Sequence, residues 1–596
     1  MELKINDKTC DAHDRERVIQ DIHELILKLN NGYNFDRTLA QEWVDYLVLL
    51  LNGHKTQLAN PYSDINNYTV TSFSQATPDL EQVDSLVMLD ELPNQVLSMT
   101  DRKDSTLSQS LFVMALGGTD STFYKGLNAD DARAFAGEFF APDLVDIFVR
   151  YDAIEFIPRG FAAKKSADVT VTNVESMIIH AYAAGIRNVA VIANAMTYRA
   201  FEDYIAAKFQ HITDLNILVT AQPLLPRIRV SDDSNNFIIS SDNGGYPGGH
   251  GHGFKYCLQD SRVRQTITQN DLRYFIFTNG DNSVIFNWGG EHFNRVLNKL
   301  EALKQKPDFA NIRIGFFLVW EYLRKGGFSF LLQHNKTGQV MPQIFEAELA
   351  KKSGADIDQL ETSRGGYNTN VAVGLIKDVV SHLDRLPMVL KEKKIEQQLF
   401  YSFEASLATA MTTLQNENGS SYFDPGTAIN ILGPKSAIYQ HWNHIALRKR
   451  DDLFAFRSSL FKIGELNTGF GPHSMIYTQR DATQKHPTLA GNVGESAVLN
   501  TKDFFDIFAK ALFDVDEFYG TLCINLLETE SSPMGKIRFA NKVKMQGDDS
   551  CEICFSVPAG ELWLVQDKEF AARGKMTITP SDVIVKKWHA ANGDYV

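Results

Sequence analysis

Along the first fifty residues, apolar side chains recur at helical spacing: Val18, Ile22, Leu25, Ile26 and Leu29, then Trp43, Leu47 and Leu50. Positions three and four apart share one helix face, so this spacing predicts a helical N-terminal region that lays an apolar stripe on a neighbour. From about Leu111 to Phe461 the pattern changes to short runs rich in Val, Ile and Phe, alternating with amphipathic helices. LFVMALGG reads as a strand stopped by glycines, VESMIIHAYAAG as a helix and NVAVIAN as the next strand. NILVTAQ and YFIFTNGDN are further strands that end in polar or turn residues. After about residue 464 helical patterns thin out, and GKIRFANKVKMQGD followed by SCEICFSVPAGELWLV reads as short strands joined by turns, with no fixed internal period.

Strands alternating with helices imply an α/β fold with a doubly wound, mostly parallel, Rossmann-like sheet. The expected organisation is a helical N-terminal region over 1–105, a central α/β domain over 106–463 and a β-rich C-terminal domain over 464–596. A chain of 596 residues is too long for one core, which agrees with this division. In an open α/β sheet ligands bind beyond the carboxyl ends of the strands, so those ends are where function is to be sought.

Composition narrows the partners. With 44% hydrophobic and 22% charged residues the chain is of ordinary globular type. A net charge of -14 opposes a phosphate backbone, and no basic stripe interleaved with aromatics overrides it, so nucleic acid is not an expected partner. Nucleotides remain open, because a few backbone N–H groups, one or two cations and a metal suffice to hold phosphates. The longest apolar stretch, Ile312 to Trp320, is too short to span a bilayer and the first residues lack a secretory core, so no membrane association and a cytoplasmic location are expected. Nothing in the sequence fixes the oligomeric state, and a homo-oligomer is compatible with it. Five cysteines form no disulfide framework, and Cys551-Glu-Ile-Cys554 lacks a second pair to complete a zinc site, so both read as buried thiols.

Three strand ends carry candidate chemistry. Thr278-Asn279-Gly280-Asp281-Asn282 follows a strand and puts the Asp281 carboxylate at the sheet mouth, where it suits Mg2+ against phosphate oxygens, although Asn-Gly-Asp is also a common turn. Tyr246-Pro-Gly-Gly-His-Gly-His-Gly253 reads as a loop whose glycines let backbone approach a base or phosphate closely. A metal reading of His250, His252 and Cys257 ranks behind this, since two alternate His need a further ligand. Leu116-Gly117-Gly118-Thr119-Asp120-Ser121 suits a phosphate-cradling turn but has neither P-loop spacing nor the three-glycine dinucleotide pattern.

The order of these segments resembles the UTP:sugar-1-phosphate uridylyltransferase family, which includes eukaryotic-type UDP-glucose and UDP-sugar pyrophosphorylases. Gly117-Gly118 resembles its nucleotide-binding glycine loop, Gln222-Pro223 a shortened form of its uracil-side Gln-x-x-x-Pro segment, and Pro247-Gly-Gly-His-Gly251 its Pro-x-Gly-His-Gly. Asn279-Gly-Asp-Asn282 is similar to the metal-binding Asn-x-Asp-Asn, Lys325-Gly326-Gly327 to a later Lys-Gly-Gly, and Gly366-Tyr-Asn-Thr-Asn370 to Phe-Asn-Thr-Asn. Phe403-Glu404-Ala405 resembles the sugar-contacting Glu-Thr-Ala. Asp451-Asp452-Leu453 through Ser459-Leu460-Phe461 resembles the Ser-Asp-Leu stretch that follows a catalytic lysine.

The resemblance implies a GT-A-like nucleotidyltransferase sheet with a C-terminal β-helix, and a reaction of UTP with a sugar-1-phosphate, glucose-1-phosphate first among them, to give UDP-sugar and pyrophosphate with Mg2+. It assigns the metal to Asp281 and phosphate neutralisation to Lys125 and to Arg448 or Lys449. Nucleotide contacts fall to Gly117, Gly118, Gln222, Gly249, His250 and Gly251, and sugar contacts to Asn368, Thr369, Asn370 and Glu404. The chain departs from the pattern in four places: no later glycine stands within Thr119 to Tyr124, Lys164 and Lys165 compete with Lys125 as the basic residue of the first loop, the family's lysine falls at Arg448 or Lys449, and His252 stands where the family has an acid. A non-catalytic nucleotide-sugar-binding relative and a metal-dependent glycosyltransferase are the alternative readings.

Overall fold

The computed structural model describes residues 2–5, 14–59, 65–71, 86–88, 105–118, 140–158, 161, 163–165, 170–231, 236–280, 282, 285, 291–307, 310–319, 327–338, 340–346, 366–383, 386–395, 398–415, 421–423, 428–432, 461–463, 475–477, 488–490, 507, 510–518, 520–548 and 550–596. The helical spacing near the amino terminus becomes two helices, Arg15–Leu29 and Arg37–Leu51, the second capped by the Asp36 carboxylate, which accepts from the Thr38 N–H. The predicted strands Asn188–Asn194, Asn216–Gln222 and Tyr274–Asn279 are present, as is Ser110–Ala115 ahead of the Gly117-Gly118 pair. VESMIIHAYAAG becomes the helix Asn173–Ala183. Its start is fixed by a reciprocal cap: Thr172 Oγ1 accepts from the Glu175 N–H and Glu175 Oε2 from the Thr172 N–H, an arrangement that contributes about 1 kcal/mol.

These strands form the centre of a large mixed sheet. Side by side lie Asn216–Gln222, Asn188–Asn194, Ser110–Ala115 and Tyr274–Asn279, all parallel. In chain order this is 3-2-1-4, with the reversal between Ser110–Ala115 and Tyr274–Asn279. Beyond them comes Gly366–Leu375, antiparallel to both its neighbours, and then Ile314–Val319, Ala428–Leu432 and Leu86–Met88, which resume the common direction. This path of the sheet is mostly parallel, as expected; the place of its antiparallel strand is not legible in the sequence, because side-chain alternation carries no information on strand direction.

Successive residues of a strand face opposite sides, and here both sides are buried. Phe112, Met114, Val189 and Val191 pack under the helices Pro142–Arg150, Asn173–Ala183, Tyr198–Phe209 and Glu291–Lys304. Leu111, Val113, Ala190 and Ile192 pack under the two N-terminal helices and the helix Gly249–Gln259. The N-terminal helices are therefore one layer of the central core. A second, antiparallel sheet holds Glu2–Ile5, Phe237–Ser240, Ile228–Val230, Gln398–Glu404 and Val389–Ile395, and delivers Glu404 beside the segment that follows Gln222.

In the C-terminal part successive strands alternate between two sheets. Thr488–Ala490, Thr521–Leu526, Glu552–Val557 and Lys575–Ile578 make one, all parallel. Lys510–Phe518, Lys536–Gly547 and Glu561–Ala571 make the parallel part of the other. Several of these strands are longer than the short ones expected. The chain thus coils with a regular topology although the sequence shows no fixed period, because the turns between strands differ in length. Among the described residues no helix is long and apolar enough to cross a membrane.

Candidate active site at the sheet mouth

The reversal in strand order opens a crevice beyond the carboxyl ends of Ser110–Ala115 and Tyr274–Asn279, the position where open α/β sheets bind ligands. What closes its floor is glycine. Gly117 follows the strand Ser110–Ala115 after one intervening residue, Leu116, and a Cβ built on it would lie 2.2 Å from Gln222 Oε1; Gly253 also faces that oxygen, at 2.9 Å. The Gln222 side chain is buried and donates from Nε2 to the Gly249 carbonyl at 2.8 Å. Gln222 thus brackets the first glycine loop to the glycine-rich segment, although these elements are more than a hundred residues apart in sequence.

That segment is not the loop its composition predicts. Gly249–Gln259 is an α-helix that starts within the glycine run. Glycine is a weak helix former, so sequence alone argues against it, but tertiary contacts override the preference. Gly249 has φ +84°, and a Cβ there would meet the Ala405 carbonyl oxygen at 2.5 Å. Backbone bonds seal this approach: the Gly251 N–H donates to Ala405 O and the Ala405 N–H to Gly248 O, both at 2.8 Å. His250 Nδ1 accepts from the Leu407 N–H at 3.3 Å, and the Tyr246 hydroxyl accepts from the Phe403 N–H at 2.7 Å. The predicted nucleotide side, with Gly117, Gln222, Gly249, His250 and Gly251, is thereby locked to the strand that ends in Glu404. Gly118 is exposed, and a Cβ on it would meet nothing within 4 Å.

His252 differs in kind. Two residues apart on a helix point to roughly opposite sides, so His250 and His252 cannot share an ion, and this overturns the metal reading that joined them to Cys257. The His252 ring is 2% exposed, lies edge-on to Tyr256 at 4.8 Å, and has no hydrogen-bond partner on either nitrogen among the described residues. Burial, aided by the nearby Lys255 ammonium, pushes its pKa down to about 3. The position where the resemblance expects an acid is therefore held by a neutral imidazole at physiological pH. Burial likewise pushes the Cys257 thiol up to about 12.

At the opposite rim, Gly280 donates its N–H to Ala115 O at 3.0 Å, and a Cβ on it would strike Leu116 at 2.1 Å, so this turn also sits tight against the first strand. Asn282 is buried and its N–H donates to Asn279 O at 3.2 Å. Asp281 itself lies outside the described residues, as do Lys125, Arg448, Lys449, Lys325 and the stretch from Asp451 to Leu460. Lys164 and Lys165 lie on a short strand, Ala163–Lys165, paired with Thr170–Thr172.

The Asn-Thr-Asn segment occupies a bulge. Phe316 pairs with Ala372 and Leu318 with Asn368, which leaves residues 369–371 opposite Phe317 alone. Such bulges re-aim side chains beside sites. Asn370 has φ +57°, its Oδ1 accepts from Asn368 Nδ2 at 3.0 Å, its N–H donates to Asn368 Oδ1 at 3.0 Å, and Thr369 Oγ1 donates to Phe317 O at 2.8 Å. The register of Phe277 with Ala372 carries Asn370 to the level of Asn279, at the same mouth. Glu404 is half-buried and its Oε1 accepts from Ser402 Oγ at 3.3 Å.

Three contributors escaped the sequence. Asn30, the last residue capping the first helix, holds the chain after Gln222 through both its side-chain atoms: Nδ2 donates to Leu224 O at 2.9 Å and Oδ1 accepts from the Leu224 N–H at 2.8 Å. Glu42 pairs with the buried Lys255 at 2.8 Å and ties the second helix to Gly249–Gln259. Asn194, at the end of the neighbouring strand, holds its own turn through Oδ1 while its buried Nδ2 has no partner among the described residues. No local pattern marks Asn30 or Glu42, since each acts on a distant element. A cavity of about 520 Å³ lies between the turn around Phe35 and the outer side of this helix, but none of the predicted site residues lines it, and its Glu42, Asp45 and Asp260 carboxylates are paired with Lys255, Arg15 and Arg262.

No family model matches the chain, and no curated protein does. Solved structures do match in fold. The UDP-glucose phosphorylase of Trypanosoma brucei aligns over 94% of this chain and 100% of its own at 13% identity, with a TM-score of 0.54. Two point mutants of Leishmania major UDP-glucose pyrophosphorylase, both in complex with UDP-glucose, align over 94% of this chain and 99% of theirs at 12% and 13% identity, with TM-scores of 0.54 and 0.52. Across nearly its whole length, the chain has the fold of these UDP-glucose pyrophosphorylases.

Proposed function

We propose that the protein is a uridylyltransferase that joins UTP to a sugar-1-phosphate, with glucose-1-phosphate the expected sugar, and releases pyrophosphate. The observation that carries this reading is the lock of Gly117, Gln222, Gly249, Gly251 and Ala405 at the strand-order reversal, in a fold shared with proteins solved in complex with UDP-glucose. Glycine backbone of this kind suits the close approach of a flat base, and the polar bulge at Asn368 to Asn370 together with Glu404 suits sugar hydroxyls. Here Gln222 acts as the bracket of the uracil side, and His250, fixed by the Leu407 N–H, lines it.

The reaction needs a sugar-phosphate oxygen to attack the α-phosphorus of UTP in line, with pyrophosphate leaving opposite. No covalent protein intermediate is required, so the chain contributes positioning and charge neutralisation. The strand-end turn offers oxygen donors, Asp281 above all, which fit a hard divalent cation; bound Mg2+ would supply charge neutralisation on phosphate oxygens. Lys125 and Arg448 or Lys449 are assigned the remaining phosphate charge. Residues 1–105, 106–463 and 464–596 are the proposed regions, the first serving as a layer of the second, and the alternation of strands between two parallel sheets supports a β-helix in the third.

Asp281→Asn is expected to lower Mg2+-dependent turnover by about a hundredfold or more while the circular dichroism spectrum stays unchanged. Full activity in that variant would remove Asp281 from the mechanism. The neutral His252 at the family's acidic position favours one second reading, a nucleotide-sugar binder without turnover. Calorimetric titration with UDP-glucose beside a turnover assay separates the two.

A further inference from the structure

The sequence offers Cys551 and Cys554 as a spaced pair, but the fold pairs Cys554 with a different residue. Cys523 on Thr521–Leu526 lies in register with Cys554 on the adjacent parallel strand Glu552–Val557. Leu522, Ile524 and Leu526 point into the core, as do Ile553, Phe555 and Val557, so Cys523, Cys554 and Glu552 share the outer face of the sheet. Cys554 is buried and Cys523 half-buried on this face, and neither belongs to the hydrophobic core cluster. The Cys523 and Cys554 sulfurs and a Glu552 carboxylate oxygen all lie within 4.8 Å of one another. Cys551 faces away, its thiol directed to Asp548 and to the Ala572 carbonyl.

We propose that Cys523, Cys554 and Glu552 form a binding site for a thiophilic divalent cation, zinc being the physiological fit, with a fourth position open to water. Parallel strands lie about 4.8 Å apart and in-register Cβ atoms keep that spacing, which exceeds the roughly 3.5–4.5 Å a disulfide needs. A tetrahedral ion with bonds of about 2.3 Å instead asks for sulfurs about 3.8 Å apart, within reach of this pair. Two thiolates and a carboxylate select zinc over Mg2+, so the site does not compete with the cation assigned to the sheet mouth. Supporting bonds of the kind that orient metal ligands are already present. Asn525 Nδ2 donates to Cys523 Sγ at 3.5 Å, and Lys575, in register with Glu552, holds its carboxylate at 2.9 Å. The Cys554 thiol donates to Glu552 Oε1 at 2.8 Å, the contact a cation would replace while both thiol protons leave to water.

The test uses the full-length protein, reduced and stripped with a chelator, titrated with Co2+ and then with Zn2+ against a chromophoric competitor. One equivalent of Co2+ is expected, with a thiolate-to-cobalt charge-transfer band that Zn2+ displaces. Cys523→Ser and Cys554→Ser should abolish the band, Lys575→Ala should weaken binding about tenfold or more, and Cys551→Ser should leave the band in place. Circular dichroism checks each variant, and protection of Cys523 and Cys554 from alkylation by Zn2+ in the unmodified chain provides a readout free of folding effects. Absence of a stoichiometric band, its loss in Cys551→Ser but not in Cys523→Ser, or a mass two hydrogens lighter with peptides 523 and 554 joined would overturn the proposal.

Discussion

The sheet mouth and the C-terminal coil are built on opposite rules. At the mouth the chain approaches itself backbone to backbone: the Ala405 carbonyl lies where side chains on Gly249 and Gly251 would be, and Gln222 fills the space beside Gly117. In the interior of the coil the space between strands is filled by side chains, with Phe555 edge-on to Phe539 and Phe570 at 5.3 and 5.7 Å, and close backbone approach is confined to turns such as those at Gly520 and Gly535. The packed glycines of the mouth therefore cannot accept added atoms, whereas the interior of the coil cannot lose them. Stability should reside mainly in the second kind of contact and ligand geometry in the first.

Phe555→Ala should break the coil most severely. The side chain is fully buried, so its loss is expected to reduce unfolding free energy by about 3–5 kcal/mol, while turnover per folded molecule stays unchanged. Chemical denaturation beside an activity assay below the transition checks both halves; a matching loss of turnover in molecules still folded would mean that the two regions are coupled. Gly249→Ala adds one methyl group in the left-handed region and against a carbonyl. It should destabilise by about 2 kcal/mol, but weaken UTP and UDP-glucose binding more than Phe555→Ala does, as calorimetry would register. Unaltered nucleotide affinity would show that this contact only supports the fold. The smallest effect should be that of Glu404→Ala: an increase of about tenfold in KM for the sugar phosphate, with KM for UTP little changed. Equal increases for both substrates would assign Glu404 a structural role.

The legible parts of the sequence are those in which one element satisfies itself. Asn188–Asn194 and Asn216–Gln222 are apolar runs bounded by polar residues, and they fold as read. Glycines at Gly117 and Gly249 mark close approach, but not what approaches, because Gln222 and Ala405 come from elsewhere in the chain. The helix Gly249–Gln259 is hidden in the sequence because its composition opposes helix and only its neighbours enforce it. The same holds for the clamp of Asn30 on Leu224, and for Cys523 beside Cys554, whose register depends on turn lengths that no periodicity reveals. The carboxylate and cations most directly tied to phosphate, Asp281, Lys125, Arg448 and Lys449, remain assignments by resemblance.

The most direct test of the central claim is release of pyrophosphate by the purified protein with Mg2+, UTP and a panel of sugar-1-phosphates that includes the glucose, galactose and N-acetylglucosamine forms. Release is expected with at least one of them, glucose-1-phosphate first, and should be lost when Mg2+ is omitted. Binding of UDP-glucose with no pyrophosphate from any sugar would contradict the claim and leave the protein as a nucleotide-sugar binder.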